Sequence, residues 1–243
     1  PGQSVADPFF GGAGPDRTGC TECGACMTGC RVGAKNTLVK NYLHLAEAAG
    51  AEIIDMTTVH AITPEGSGGY VLDAHRSGRR RTRRTFTADH VVLAAGTYGT
   101  NKLLLDMQRG GRLPRLSSRL GRVVRTNSEA VLAASARSVG DVDYSHGVAI
   151  TSSFHPNDHT HIEPVRYGKG SNLIGLLQAV LVDGGGRIPR LLKAIIVMLT
   201  HPLTTARSLS VRRWSERTIT ALVMQTVDNS IELTSRRGRF GPI

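Results

Sequence analysis

The stretch Asp89–Asp106, DHVVLAAGTYGTNKLLLD, constrains this chain more than any other. Val91, Val92 and Leu93 are β-formers, Ala94 and Ala95 narrow the run, and Gly96 turns it. Thr97, Tyr98, Gly99 and Thr100 then lead into a helical run, Asn101–Met107, with Leu103, Leu104 and Leu105 as its apolar face. A continuous apolar run of this kind reads as a buried, parallel strand. The small residues after it permit close backbone approach to a ligand, and Thr or Asn at the turn can cap the helix. A helix N-terminus just beyond such a strand favours an anionic group. Many strand–turn–helix units bind nothing, so the surroundings must decide.

Those surroundings read as a chain of alternating elements. Lys35–Ala49 places Leu38, Tyr42, Leu45 and Ala49 at helical spacing, with Gly50 as the stop. Ala51–Ile62 reads as a strand, and Tyr70–His75 and Arg84–Ala88 as the arms of a hairpin. Further strands are expected near Glu129–Ser135, Gly147–Phe154, Thr160–Val165, Arg217–Val227 and Ile231–Thr234. Gly186–Arg213 sets Arg187, Arg190 and Lys193 against Leu191, Leu192, Ile195, Ile196, Val197 and Leu199. Such a helix can lie on a membrane surface, although an amphipathic helix more often faces a core.

A net charge of +11 leaves room for an anionic partner. Yet the arginines around the hairpin tip, Arg76 to Arg84, carry no interleaved aromatics for base stacking. They read as a solvated turn rather than a nucleic-acid surface. The apolar run Ala194–Leu199 is far too short to span a bilayer, and no signal peptide is visible in PGQSVADPFFGG. A cytoplasmic or membrane-peripheral protein is expected.

All four cysteines fall in one short loop. Cys20, Cys23, Cys26 and Cys30 give C-x2-C-x2-C-x3-C, the spacing of a ferredoxin-type cluster. The residue after the last one is Arg31 rather than proline, and no second set exists. A 4Fe-4S cluster, a zinc ion, or reduced or locally paired thiols bracing a glycine-rich loop all remain open. The first of these makes an iron–sulfur electron-transfer protein the alternative reading of the whole chain.

Taken together, the segments resemble the glucose–methanol–choline (GMC) family of flavoprotein oxidoreductases, most closely its bacterial, cholesterol-oxidase-like branch. Gly19–Ile53, with its K-x-x-L-x-K-x-Y-L ending, is similar to the family's loop and helix leading into a flavin-domain strand. DMTTVHAI (Asp55–Ile62) resembles the strand whose backbone meets the adenine end of FAD. His90–Gly121 resembles the return strand, glycine turn and L-P-x-L-x-x-x-x-G phrase, and Arg125–Ala130 a flavin-proximal Asn turn. The likeness is dense over residues 8–130 and thinner to 235.

The resemblance implies an α/β chain, α+β overall, in which part of an FAD-binding Rossmann-like domain adjoins a β-sheet substrate domain. Both are expected to be incomplete at their ends. The first is placed at residues 1–130, with the Cys-rich loop at 20–30, and the second, of steroid-binding type, at 131–243. The phosphate-cradling GxGxxG unit and the flavin-face His are expected outside these residues, so the chain by itself is not expected to retain FAD. Contacts to FAD are assigned to Val59, Ala94, Gly96, Thr97, Thr100 and Asn127, and the strands around Val59 and Leu93 are expected to share a sheet. The implied reaction is oxidation of a sterol or another hydrophobic alcohol, plausibly a 3β-hydroxysteroid, with oxygen or another acceptor taking the electrons. Migration of the Δ5 double bond to Δ4 would need a carboxylate to move a proton between ring carbons. Glu163, in THIEPVRYG, is assigned that part, set against a surface Glu paired with Arg166. Burial in an apolar steroid pocket would raise its pKa. His155, His159 and His161 read as solvated strand residues, and Trp214 as a packing residue.

Overall fold

The computed structural model describes residues 1–186, 188–238 and 241–242. In chain order the elements are β1 (Ser4–Val5), β2 (Arg17–Thr18), α1 (Tyr42–Ala48), β3 (Thr57–Pro64), β4 (Tyr70–Arg76), β5 (Arg79–Ala88) and α2 (Gly96–Arg109). There follow β6 (Ala130–Ser135), β7 (Phe154–Asn157), β8 (Thr160–Val165), α3 (Arg190–Thr200), α4 (Pro202–Ser208), α5 (Trp214–Arg217), β9 (Thr218–Gln225), β10 (Arg237–Gly238) and β11 (Gly241–Pro242). The class is mixed α and β, as expected. Contacts divide the chain into two units, Pro1–Ala51 with Glu129–Thr226, and Glu52–Ser128 with Val227–Ile243.

The unit containing Glu52–Ser128 is built on the antiparallel sheet β3–β4–β5. A bulge between Val59 and Ala61 re-aims β3, so that Ala61 and Ile62 are buried one after the other. Met107 of α2 packs there, its Sδ 3.3 Å from the Ile62 amide. Ala61, Ile62, Ala74, Met107 and Val124 form the core of this unit. Of the arginines expected at a tip, Arg76 ends β4 and the others belong to β5, which runs from Arg79 and is an edge strand. Cations on an edge discourage further strand pairing, although the Arg80 side chain lies outside the described residues.

One expected strand begins late and another is not formed. Residues 51–56 precede β3 without strand structure, and the apolar run 90–94 leads straight into α2. Val59 and Leu93 therefore share no sheet, which corrects the expectation. A fully apolar strand needs neighbours for its backbone on both edges. Among the described residues none pairs with 90–94, and Val92 is 89% exposed.

The other unit holds the antiparallel sheet β6–β9–β8–β7. β9 pairs along Thr218–Val223 with β6 on one side, and along Thr220–Gln225 with β8 on the other. Below it Trp214 is 1% exposed, against Tyr167 at a ring separation of 5.6 Å, so it packs as expected. Arg217, also buried, donates to the carbonyls of Ala136, Arg212, Arg207 and Ser210, satisfying four backbone acceptors with one guanidinium.

The helix expected from Lys35 opens as a 3-10 turn, Leu38–Lys40. It becomes α1 only after Asn41, whose side chain accepts from the Tyr42 amide. The expected segment 186–213 is two helices, because Pro202 starts α4 at the position where its missing N–H is harmless. The core-facing reading of this segment does not hold, since no residue of α3 is buried. Arg187 lies outside the described residues. The strand expected at 147–154 starts only at Phe154, and that expected at 231–234 is reduced to the single bridge Val124–Ile231.

Candidate functional site

Gly96 sits at φ +71°, the left-handed conformation that allows the chain to turn abruptly from the apolar run into α2. The residue before it, Ala95, offers no side-chain oxygen to the first turn of the helix. The first-turn amides are thus left to another acceptor, on the end of the helix where the dipole favours negative charge. An open cleft of about 750 Å³ lies at this point. Its walls include Leu93, Ala94, Gly96, Thr97 and Thr100 from the turn and helix, with Arg119 and Arg125 from the loop beyond. Arg125 is also clamped by Asp228, its Nη2 2.5 Å from Oδ1. Small residues, two hydroxyls, a helix N-terminus and two guanidinium groups suit a nucleotide carrying phosphates.

Four of the six expected cofactor residues, Ala94, Gly96, Thr97 and Thr100, are brought together in this cleft. Val59, half-buried in β3, and Asn127 are not among its lining residues. Sequence reading missed Arg119 and Arg125. Their signal was present as cations scattered through RLPRLSSRLGRVVR, but nothing local distinguished these two from the others.

A second group of side chains lies on the four-stranded sheet. Successive strand residues point to opposite faces, so His161, Glu163 and Val165 share one face of β8. Their partners on β9 are Met224, Leu222 and Thr220, and those of Leu222 and Thr220 on β6 are Val131 and Ala133. The face is therefore a largely apolar plane carrying a carboxylate and an imidazole side by side. His161 Nε2 and Glu163 Oε1 are 3.0 Å apart, with 37% and 28% of the two side chains exposed. His155 of β7 stacks on His161 with ring centroids 5.2 Å apart and planes inclined by 22°. The alternative pairing of Glu163 with Arg166 is not made; that guanidinium donates to the His146 carbonyl. His155 and His159 are exposed, as expected.

The cysteine run is organised differently from a ligand set. Cys20 Sγ accepts from the Glu22 amide at 3.3 Å and Cys30 Sγ from the Ala34 amide at 3.2 Å. The amide of Ala25 and the Thr21 hydroxyl hold the Cys23 thiol below its ordinary pKa. For Cys30 the amide of Lys35 leads several that do the same. The loop is anchored by backbone, through a bridge between Cys23 and Gly147 and the bond from Gly147 N to Glu22 O at 2.7 Å. Gly24, at φ +69°, passes so close to Ser145 that a Cβ would stand 2.2 Å from its carbonyl oxygen. All four cysteines are free thiols, and among the described residues no three Cys, His, Asp or Glu side chains group as metal ligands. The cluster and zinc readings of Cys20, Cys23, Cys26 and Cys30 therefore have no geometry behind them, and the thiols of Cys20, Cys23 and Cys30 are oriented by amides of their own loop. The reading as reduced thiols in a braced loop fits what is seen.

The family model described as GMC oxidoreductase matches residues 13–111, a span that takes in the cysteine loop, the β3–β4–β5 sheet and α2 with the turn that opens the cleft. A cholesterol oxidase of Mycobacterium tuberculosis (strain ATCC 25618 / H37Rv) is 56% identical over 248 residues, covering 99% of this chain and 43% of its own length. A cholesterol oxidase of Acinetobacter baumannii is 39% identical over 249 residues, 99% of this chain and 44% of the relative. Over residues 13–111 the chain matches the GMC oxidoreductases. It spans less than half the length of these curated relatives. These matches agree with an FAD-type protein and give no footing to an iron–sulfur electron carrier.

Proposed function

We propose that this chain is part of an FAD-dependent oxidoreductase acting on the CH–OH group of a sterol, with a Δ5 to Δ4 isomerisation carried by Glu163. The observation that carries the reading is the convergence of Ala94, Gly96, Thr97 and Thr100 on one cleft at a helix N-terminus, in a chain similar to two cholesterol oxidases across nearly all its residues. FAD, when bound, supplies the hydride acceptor, and oxygen or another acceptor then takes the electrons. The first-turn amides of α2, with Thr97 and Thr100, would bind the cofactor's phosphate or ribose oxygens, and Arg119 and Arg125 would offset its charge. Val59 and Asn127 are kept as contacts to parts of FAD beyond the cleft.

Residues 1–130 then hold part of the flavin domain and 131–243 part of the substrate domain. The apolar plane of β6, β9 and β8 offers a flat sterol a surface of matching character, where Leu222, Met224 and Val165 exclude water. Glu163 is the acid on that plane, suited to take a proton from one ring carbon and return it to another. The exposed leucines of α3 and α4, Leu191, Leu199 and Leu203, lie in a stretch bearing Arg190, Lys193 and Arg207. They suit a cytoplasmic, membrane-peripheral enzyme that takes sterol from a lipid surface, and no helix among the described residues is long and apolar enough to cross a membrane.

The test is made on a flavin-loaded holoenzyme containing this chain, given a 3β-hydroxy-Δ5-steroid. Peroxide or acceptor reduction follows oxidation, and the absorbance of the conjugated Δ4-3-ketone follows isomerisation. Glu163→Gln is expected to slow isomerisation about 100-fold or more, with FAD content and fold as in the wild type. Equal isomerisation by wild type and variant would remove Glu163 from the mechanism.

A further inference from the structure

We infer that His161 is a positioning residue for Glu163, holding one carboxylate oxygen so that the other faces the substrate plane, and linking that carboxylate to solvent. The inference rests on the catalytic reading of Glu163 given above.

Strand geometry imposes the pair. Residues two apart on β8 project from the same face, and both are fixed in register against β9, His161 opposite Met224 and Glu163 opposite Leu222. The imidazole Nε2–H donates to Glu163 Oε1 across 3.0 Å. A hydrogen bond to a carboxylate is among the stronger kinds, and one bond is enough to choose between the two oxygens. With Oε1 engaged, Oε2 is left as the oxygen that exchanges a proton with substrate. The His155 ring stacked on His161 restrains its plane from β7.

The charged groups near the pair are few. β9 carries no ionisable side chain between Thr218 and Gln225, and β6 none between Ala130 and Ser135. From β7 and the turn after it come His155, Asp158 and His159, and past the end of β8 comes Arg166, which is engaged by the His146 carbonyl. Glu163 therefore faces His161 as its hydrogen-bond partner.

Proton accounting separates this arrangement from a lone carboxylate. The substrate C–H bond breaks, the proton goes to Glu163, and a proton is delivered to the second ring carbon; nothing is oxidised or reduced. A lone carboxylate walled in by apolar side chains returns the same proton. With an imidazole that reaches water, that proton can be exchanged first. Once water has shifted the ring to its Nδ1–H form, the carboxyl turns its protonated oxygen to Nε2 and gives up that proton as Nδ1 gives one to water. The reverse path returns a solvent proton, and more than a third of the His161 side chain is exposed.

The experiment runs the isomerisation of a 3-oxo-Δ5-steroid by the holoenzyme in D2O and reads deuterium at the receiving carbon by mass spectrometry. The wild type is expected to incorporate solvent deuterium. His161→Phe is expected to lower both incorporation and the isomerisation rate about tenfold, the rate loss being at the low end for a general acid–base contribution. His161→Gln retains an N–H donor but cannot carry the proton, so it is expected to restore the rate without restoring incorporation. Flavin content and thermal midpoint control for folding, and 15N imidazole shifts of the wild type, expected to show the Nε2–H tautomer, control for the pair itself. His161→Phe matching the wild type in rate and label overturns the inference. If the wild type carries out no isomerisation, the catalytic reading of Glu163 fails, and the inference that depends on it fails too. The 15N spectrum then tells whether the His161–Glu163 pair exists apart from that chemistry.

Discussion

Two apolar β-runs in this chain come to opposite ends. Thr218–Gln225 is flanked by β6 and β8 and makes the centre of a four-stranded sheet. His90–Ala95, as rich in Val, Leu and Ala, pairs with nothing among the described residues and leaves Val92 almost wholly exposed. Side-chain character is much the same in the two; what differs is the supply of partners. A strand is a property of at least two segments, because its amides and carbonyls must be matched by another backbone. The apolar plane bearing Glu163 is complete in this respect, whereas the cleft at α2 is walled on one side by a run whose own edges are unmatched.

Large-to-small substitutions give the widest separation between the regions. Trp214→Ala removes a ring that is 1% exposed and packed on Tyr167 beneath the sheet, and is expected to cost about 3–5 kcal/mol in urea unfolding. Tyr98→Ala, in the first turn of α2 with 70% of the residue exposed, is expected to stay within about 0.5 kcal/mol. Similar losses at the two sites would mean that the α2 turn is covered by something its exposure does not show.

A finer cut compares two valines. Val165→Ala, at the buried end of β8, is expected to cost about 2 kcal/mol from two lost methyl groups and the space they leave. Val92→Ala in the same 243-residue chain is expected to change stability by less than about 0.5 kcal/mol. Repeating the Val92 measurement in a holoenzyme sharpens the comparison, because a cost rising toward that of Val165 reveals a partner strand supplied there.

How far the sequence could be read follows the same division. Thr160–Val165 was legible to the residue, and Arg217–Val227, Glu129–Ser135 and the first arm of the hairpin nearly so, because their partners lie in the chain and alternation records the shared faces; the second arm begins at Arg79, five residues before its expected start. The strand expected at Ala51–Ile62 survives only from Thr57, and the one at Val91 not at all, because propensity at Ile53, Ile54 or Val92 says nothing of what pairs with it. At the candidate site, the turn residues Ala94 to Thr100 were legible through the resemblance and the helix start. Arg119 and Arg125 were not, since a basic loop has no period that marks which cations face a cleft. The Cys20–Cys30 spacing misled for a related reason: a ligand-like interval along the chain does not by itself group thiols as ligands, and Cys20 and Cys30 are held by nearby amides instead.

The smallest expected effect concerns how α2 is tied down. Where the sheet relies on buried apolar side chains, α2 uses a polar clasp at Asp106, which accepts from Ser235 Oγ at 2.7 Å and pairs with Lys102 and Arg109, each at 3.1 Å. Partial burial pulls the Asp106 carboxyl upward. The hydrogen bonds from Ser235 and Lys102 and the charges of Lys102 and Arg109 outweigh it, holding the group below the ordinary 3.8. A carboxyl with its folded pKa below the unfolded value contributes stability above the unfolded value and loses it as pH falls through the folded one. Urea midpoints of wild type and Asp106→Asn are therefore expected to differ most above about pH 4 and to converge in acid. Because Lys102 and Arg109 are partly exposed, the gap is expected to be small and to shrink in high salt. What persists in salt measures the bond from Ser235, a residue 129 positions away that fastens the helix end where no strand does. A gap that is constant from pH 3 to pH 6 would show that the clasp works without its charge, and would make the two regions more alike than their packing suggests.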